Sequence, residues 1–261
     1  MFGAIFGDLA GSIYEFEQCS STQLIDNVKL YKEDEFYSDD TILTIAVLEA
    51  FLKDKNYEKY LKKYAIEYEN YVATKQKYFK TVFSPSFTKW AHGDYTGVSA
   101  GNGAMMRISA VGYLSNSEEE VIENARLATI PSHNCEESIN AATLIALVIF
   151  YARKGKSKEE IINLLNIKLE YKEFSKFNMT CPDTTSNCMY ALFTSNSFEE
   201  AIVKVISYGG DTDTNACIVG AMAEALYGIN NKVIEWVKEK LPVDMVKLLD
   251  KGYKYTKKRV H

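Results

Sequence analysis

Residues 136–153 read EESINAATLIALVIFYAR. Their most apolar part, Ala141–Ala152, is twelve residues long and includes Thr143, well short of the roughly 20 residues that span a bilayer. Two acids open the segment and Gly155 follows it, so it reads as a buried central helix with a defined start and stop. Further helical signals surround it. Asp39-Asp40-Thr41 precedes ILTIAVLEAFL, an N-cap cluster opening an apolar helix. Residues 57–72 place Tyr57, Tyr60, Leu61, Tyr64 and Tyr68 at spacings of three and four, which predicts an amphipathic helix with a mixed face. Ser117, Ser157 and Ser197 each stand three residues before a glutamate, Glu120, Glu160 and Glu200, as in a capping box. Asp211–Tyr227 predicts a helix ending at Gly228. Pro242 starts a last helix, and 251–261 (KGYKYTKKRVH) reads as a solvated basic tail rather than a binding patch. No alternating stretch is long enough for a strand, and 20–37 and 73–100 read as loops with short helical pieces. There is no repeat, low-complexity linker or composition break. The expectation is an all-α protein, with residues 1–261 forming one compact domain.

Composition narrows the function classes. The chain has 47% apolar and 25% charged residues, four prolines and fourteen glycines, which leaves little room for disordered architecture. Its net charge of −5 argues against a nucleic-acid binder, which usually carries a basic excess. An anionic ligand stays accessible if cations and helix N-termini supply positive potential. Five cysteines without a CxxC pair, and only three histidines, argue against a finger-type zinc site and read as reduced thiols of a cytoplasmic protein. The start, MFGAIFGDLAGS, lacks a basic n-region and meets Asp8 early, so no signal peptide and no membrane association are expected.

Three acidic clusters carry the chemistry: Gly7-Asp8-Leu9-Ala10-Gly11-Ser12-Ile13-Tyr14-Glu15, Ser38-Asp39-Asp40-Thr41 and Gly209-Gly210-Asp211-Thr212-Asp213-Thr214-Asn215. Two of them sit where a loop enters an apolar helix, so capping explains part of each. Capping needs one acid rather than closely spaced pairs followed by threonine, twice. Several carboxylates at buried junctions are costly without cations, and oxygen-only donors select a hard cation such as Mg²⁺, Mn²⁺ or Ca²⁺. Metal site and solvated caps both fit the spacing. An EF-hand does not: its sixth position would be Ala216 in place of glycine and its twelfth Met222 in place of glutamate. Ser99-Ala100-Gly101-Asn102-Gly103-Ala104-Met105-Met106-Arg107 offers small residues before a helix, either a tight turn or a place where backbone N–H groups approach a ligand. Ser132-His133-Asn134 offers a structural hydrogen-bonder or a ligand contact.

Taken together, GDLAGSIYE, SDDT, GNGAMMR, SHN and GGDTDTNACIVGAMAEALYG resemble the successive motifs of the ADP-ribosylglycohydrolase family, in the family's order, from residue 3 to residue 228. The resemblance implies an orthogonal helical bundle holding two Mg²⁺ ions in a cleft, with Mn²⁺ able to substitute. It implies metal ligands at Ser38, where the family usually has threonine, and at Asp39, Asp40, Asp211, Asp213 and Thr214. It implies a catalytic role for Glu15. The GNG segment, through Ser99, Ala100 and Gly101 with Asn102 and Gly103 beside them, would hold the phosphates and ribose of ADP-ribose; Ser132 and His133 match a Thr-His pair that contacts the ligand. The chain departs from the pattern at 82–87, where relatives are often glycine-rich, at 134–137 and at 181–185, and these departures bear on the substrate rather than the metals.

The implied reaction is hydrolysis at the anomeric carbon of the distal ribose, through an oxocarbenium-like transition state, releasing ADP-ribose from a modified protein, nucleic-acid end or small molecule. Glu15 is the candidate proton donor to the leaving group, and Asp211 the candidate for metal ligation and water activation. Two other readings stand beside it: a non-catalytic ADP-ribose-binding protein using the same pocket, and a metal phosphohydrolase.

Overall fold

The computed structural model describes residues 1–18, 24–71, 81–173 and 179–257. Its helices are α1 Phe2–Gln18, α2 Asp39–Leu52, α3 Tyr57–Glu67, α4 Pro85–His92, α5 Gly103–Met106, α6 Ser109–Leu114 and α7 Glu118–Thr129. They continue as α8 Glu136–Arg153, α9 Lys158–Leu164, α10 Cys181–Phe193, α11 Phe198–Ser207, α12 Thr212–Tyr227, α13 Asn231–Lys240 and α14 Val243–Lys257. Among the described residues no β-strand forms; the extended backbone makes only two isolated bridges, Val98–His133 and Gly101–Thr180. The protein is all-helical, as the sequence predicts, and no described helix is long and apolar enough to cross a membrane.

The central helix α8 falls where the apolar run places it, with Ala142, Ile145, Ala146, Val148 and Ile149 fully buried. Helix α3 buries Tyr57, Tyr60, Leu61 and Tyr64 on one face. Of the three expected capping boxes only Ser157–Glu160 closes. Ser117 and Ser197 accept from the Glu120 and Glu200 amides, but those two carboxylates reach one residue further back, to the amides of Asn116 and Asn196, both at 2.8 Å.

The pairing that builds the site joins opposite ends of the chain. Helix α1 lies against α12, and three glycines one helical turn apart make the contact. A Cβ added at Gly3 would lie 2.3 Å from Gly220 O, at Gly7 1.9 Å from Ala216 O and at Gly11 2.3 Å from Thr212 O. Only residues without a Cβ allow backbones this close. Thr212 Oγ1 donates to Gly11 O at 2.8 Å and fixes the register.

Residues 251–257 are not a tail. Gly252 packs on Leu48 and Met1. The Tyr253 hydroxyl is bonded to the Glu224 carboxylate and accepts from the Met1 amine at 2.7 Å and the Phe2 amide at 2.9 Å. Helix α14 is thereby locked onto the α1–α12 pair, because its tyrosine satisfies groups that burial would otherwise leave unpaired. Residues 258–261 lie outside the described residues.

Candidate metal centre and ligand cleft

Ser38 caps α2, accepting from the Asp40 amide at 3.2 Å. That cap is held in turn by Asp8, fully buried on α1. Asp8 accepts from Ser38 N at 2.9 Å, Ser38 Oγ at 2.8 Å, Thr41 N at 3.0 Å and Thr41 Oγ1. Four bonds match the four or so acceptor sites of a carboxylate, so Asp8 acts first as the clamp that aims the α2 turn. Across from it, Thr214 Oγ1 donates to Asp40 Oδ2 at 3.3 Å, and the Thr214 amide donates to Asp213 Oδ1 at 2.8 Å.

Two acid triads result. Carboxylate oxygens of Asp8, Asp40 and Asp213 lie within 4.8 Å of one another, and so do those of Glu15, Asp211 and Asp213. Asp213 belongs to both. Asp39 is in neither; half-buried, it lines the same cleft. Burial, followed by repulsion from Asp211, Asp39 and Asp8, pushes Glu15 up to about 8. Burial, then Asp8 and Asp211, does the same to Asp39. Asp8, Asp40, Asp211 and Asp213 are all raised, with desolvation the first cause in each. Asp40 Oδ1 is buried with no hydrogen-bond partner. Unpaired buried oxygen, crowded carboxylates and an all-oxygen donor set fit a hard divalent cation, and the shared Asp213 fits a pair of them.

These shifts have a signed consequence. A carboxylate raised on folding binds its proton more tightly in the native state, so its contribution to stability declines as pH rises from the unfolded value near 4 to the folded value. His133 and the Met1 amine, both lowered by burial, run the other way, so the cleanest reading is the difference a cation makes. Protons compete with the cation at the acid cluster. The rise in melting temperature produced by a fixed Mg²⁺ concentration is therefore expected to be larger at pH 8 than at pH 6, by about 1.4 kcal/mol in binding free energy per pH unit and proton displaced. Equal shifts at both pH values in differential scanning fluorimetry would contradict the cluster's assignment.

The acids face a cavity of about 680 Å³ that Glu15, Ser38, Asp39, Asp40, Asp211, Asp213 and Thr214 share with Ser99, Gly101, Asn102, Gly103, Ser132 and His133. Five separate motifs thus meet at one cleft. Ala100 is exposed and does not line the cavity. The side chain of Asn102 is turned inward: Nδ2 donates to Asp211 Oδ2 at 2.6 Å and Thr184 Oγ1 at 3.3 Å, so it aims the acid rather than reaching outward. The helix after it, α5, is four residues long with no side-chain cap, so it supplies backbone N–H groups rather than the dipole of a long helix.

The departures from the family pattern support this loop from behind. Cys135 Sγ donates to Ser99 O at 3.5 Å and Cys181 Sγ to Gly101 O at 3.1 Å, while Thr184 bonds Asn102. The stretch 82–87 starts α4, with Ser84 as its cap, and the tilted rings of Phe83, Phe87 and Trp90 pack with centroids 5.5 and 5.1 Å apart into an apolar wall of the cavity. Sequence reading missed this wall, the clamp at Asp8 and the buried Arg107. The glycine spacing 3-7-11 facing Ala216 and Gly220 was the signal that could have brought Asp8 and Glu15 to Asp213.

The sequence profile of the family described as ADP-ribosylglycohydrolase matches residues 1–258. The chain is 28% identical over 166 residues to ADP-ribosylarginine hydrolase Tri1 of Pseudomonas putida (strain GB-1), an alignment that takes in 56% of this chain and 44% of that protein. It is 22% identical over 311 aligned positions to ADP-ribosylhydrolase ARH3 of Mus musculus, covering 90% of this chain and 84% of that protein. A solved structure described as an ADP-ribosylglycohydrolase-related protein complex shares the fold, with a TM-score of 0.70 at 20% identity over 98% of this chain and 97% of that one. With the profile running through every element that contributes to the cleft, the chain belongs to the ADP-ribosylglycohydrolase family of glycosidase-type hydrolases.

Proposed function

We propose that this chain hydrolyses an ADP-ribosyl bond at the anomeric carbon of the distal ribose and releases ADP-ribose. The observation that carries the reading is the pair of acid triads sharing Asp213 in the same cavity as the Ser99–Gly103 loop and His133. Asp40, Asp211, Asp213, Ser38 and Thr214, with Asp39 from the rim, would hold two Mg²⁺ ions, for which Mn²⁺ can substitute. When bound, the ions supply charge for the ribose hydroxyls and a lowered water pKa. The reading takes residues 1–261 as one domain working in the cytoplasm.

The residues divide the remaining work. Asn102 holds one Asp211 oxygen at 2.6 Å and so orients the carboxylate that would take a proton from the attacking water. The bond from the anomeric carbon to the leaving atom breaks as the water oxygen bonds that carbon, with charge spread over an oxocarbenium-like state. Glu15, whose burial favours its protonated form, would give its proton to the leaving atom. The loop at Ser99–Gly103 and the Ser132-His133 pair hold the ligand against this motion. The aromatic wall of Phe83, Phe87 and Trp90 keeps that side of the cleft apolar, which strengthens each electrostatic contact inside.

The substrate class is tested by incubating the protein with arginine-linked, serine-linked, nucleic-acid-linked and O-acetyl ADP-ribose and measuring free ADP-ribose. The name of the Tri1 relative makes the arginine linkage the first to try. At least one linkage is expected to be cut, EDTA to stop the reaction, and Mg²⁺ or Mn²⁺ to restore it. Full turnover by the EDTA-treated protein would refute the metal assignment; tight ADP-ribose binding without product from any linkage would favour a binding protein.

A further inference from the structure

Arg107 ends the GNGAMMR segment, and its side chain is completely buried. Among the described residues no carboxylate lies within ion-pair distance of it. Asp39 acts on its charge only from beyond that distance, and a buried charge without a contact counter-ion costs several kcal/mol, so its placement calls for a reason. Its Nη2 donates to Ala128 O at 3.2 Å and to Ser132 Oγ at 2.7 Å, and the guanidinium lies 5.9 Å over the Phe87 ring. Ser132 Oγ lies 2.8 Å from His133 Nδ1.

The direction of each bond in this chain follows from which groups can donate. A guanidinium only donates, so Ser132 Oγ accepts from Arg107. The serine hydroxyl has one proton, and His133 Nδ1 is its remaining partner. Nδ1 must then present its lone pair, which in a neutral imidazole leaves the proton on Nε2. The opposite tautomer would give the serine oxygen two donors and leave its own proton with no acceptor among the described residues. His133 lines the cavity, and its Nε2 lies beside Gly103, another lining residue, where an added Cβ would be 3.2 Å from it. The backbone holds the pair still: His133 N donates to Thr129 O at 2.9 Å and Asn134 N to Gly97 O at 2.7 Å.

We propose that Arg107 is a positioning residue which, through Ser132, fixes His133 as the neutral Nε2–H tautomer, so that the imidazole serves the cleft only as a hydrogen-bond donor to a ligand oxygen. This rests on the reading of the cleft as an ADP-ribosyl site, where ribose hydroxyls and phosphates supply such oxygens. His133 is then no candidate for the general base, which leaves proton transfer to the carboxylates. Burial first, and the Arg107 charge second, hold His133 down to about 3, in keeping with a ring that stays neutral.

The test is long-range ¹H–¹⁵N NMR of the histidine side chains at pH 7 in the full-length protein. With three histidines in the chain, His133 is assigned by its loss in His133→Gln. A pyridine-type Nδ1 and a pyrrole-type Nε2 are expected. Ser132→Ala should break this pattern into a tautomer mixture and weaken ADP-ribose binding in calorimetry by about tenfold, the worth of one good hydrogen bond. Ser132→Thr, which keeps the hydroxyl, should restore both, and Arg107→Met should match Ser132→Ala if it folds. A protonated Nδ1 in the wild type, or an unchanged pattern in Ser132→Ala, would overturn the relay. Wild-type protein with the expected tautomer but no affinity for ADP-ribose would leave the relay standing and sink the functional reading instead.

Discussion

With Asp213 replaced by alanine, ADP-ribose release is expected to fall by well over about 100-fold. That exceeds the roughly 10–100-fold loss typical when a group behind the metal ligands is removed. The difference follows from position. Asp213 contributes an oxygen to both acid triads, so its loss dismantles both halves of the centre. Asp8, whose carboxylate is occupied by Ser38 and Thr41, acts through the α2 turn, and Asp8→Asn should fall within the smaller range. The same substitution should leave the metal-free fold nearly as stable. Asp213 accepts the Thr214 amide bond and shares hydrogen bonds with its acidic neighbours Glu15 and Asp211, each worth about 1 kcal/mol. Against that, its removal relieves a site where Glu15, Asp40, Asp211 and Asp8 all repel it. Asp213→Ala should therefore melt near the wild type in EDTA yet gain no stability from Mg²⁺. Glu15→Gln is the contrasting case, keeping ADP-ribose affinity and losing rate. Asp213→Ala turning over within tenfold of the wild type in Mg²⁺ would remove the shared ligand, and the two-ion reading with it.

Helices α7, α9 and α11 open on serine caps and α8 on two acids, and they bury the apolar faces their spacing predicts, because caps and periodicity are local properties. Helix α1 escaped that reading. Phe2, Ala4, Ile5, Phe6, Leu9 and Ala10 are buried all round it, so it has no polar face to mark a period. The acid clusters were legible as chemistry, but which oxygens meet depends on the approach of α1 to α12, a contact across some 200 residues of chain. Asn102 shows the limit well. Its place between two glycines reads as a ligand loop, and only the fold reveals that its amide belongs to Asp211 and Thr184.

The glycine seam gives the second large effect. Gly7→Ala is expected to destabilise the protein by about 2 kcal/mol or more, a fall of roughly 4–8 °C in melting temperature for a chain of this size. Alanine is the better helix former by about 1 kcal/mol, so on local grounds the change should stabilise α1. The tertiary contact opposes it: the new Cβ would stand 1.9 Å from Ala216 O and 2.3 Å from Ala216 C. Those are backbone atoms of a buried helix and cannot rotate away, so the helices must separate, and the cost exceeds the 1–3 kcal/mol of ordinary overpacking. Gly252→Ala is the control. Its nearest neighbours are Leu48 Cδ1 and Met1 Cε, both at 3.0 Å, ends of flexible side chains that can shift, and the helix-propensity gain should bring it close to neutral. Separation at Gly7 would also carry Asp8 and Glu15 away from Asp211 and Asp213, so residual folded Gly7→Ala should bind Mg²⁺ more weakly than the wild type. A Gly7→Ala protein as stable as the wild type, with Mg²⁺ stabilisation intact, would mean that the α1–α12 approach does not set the geometry of the acids.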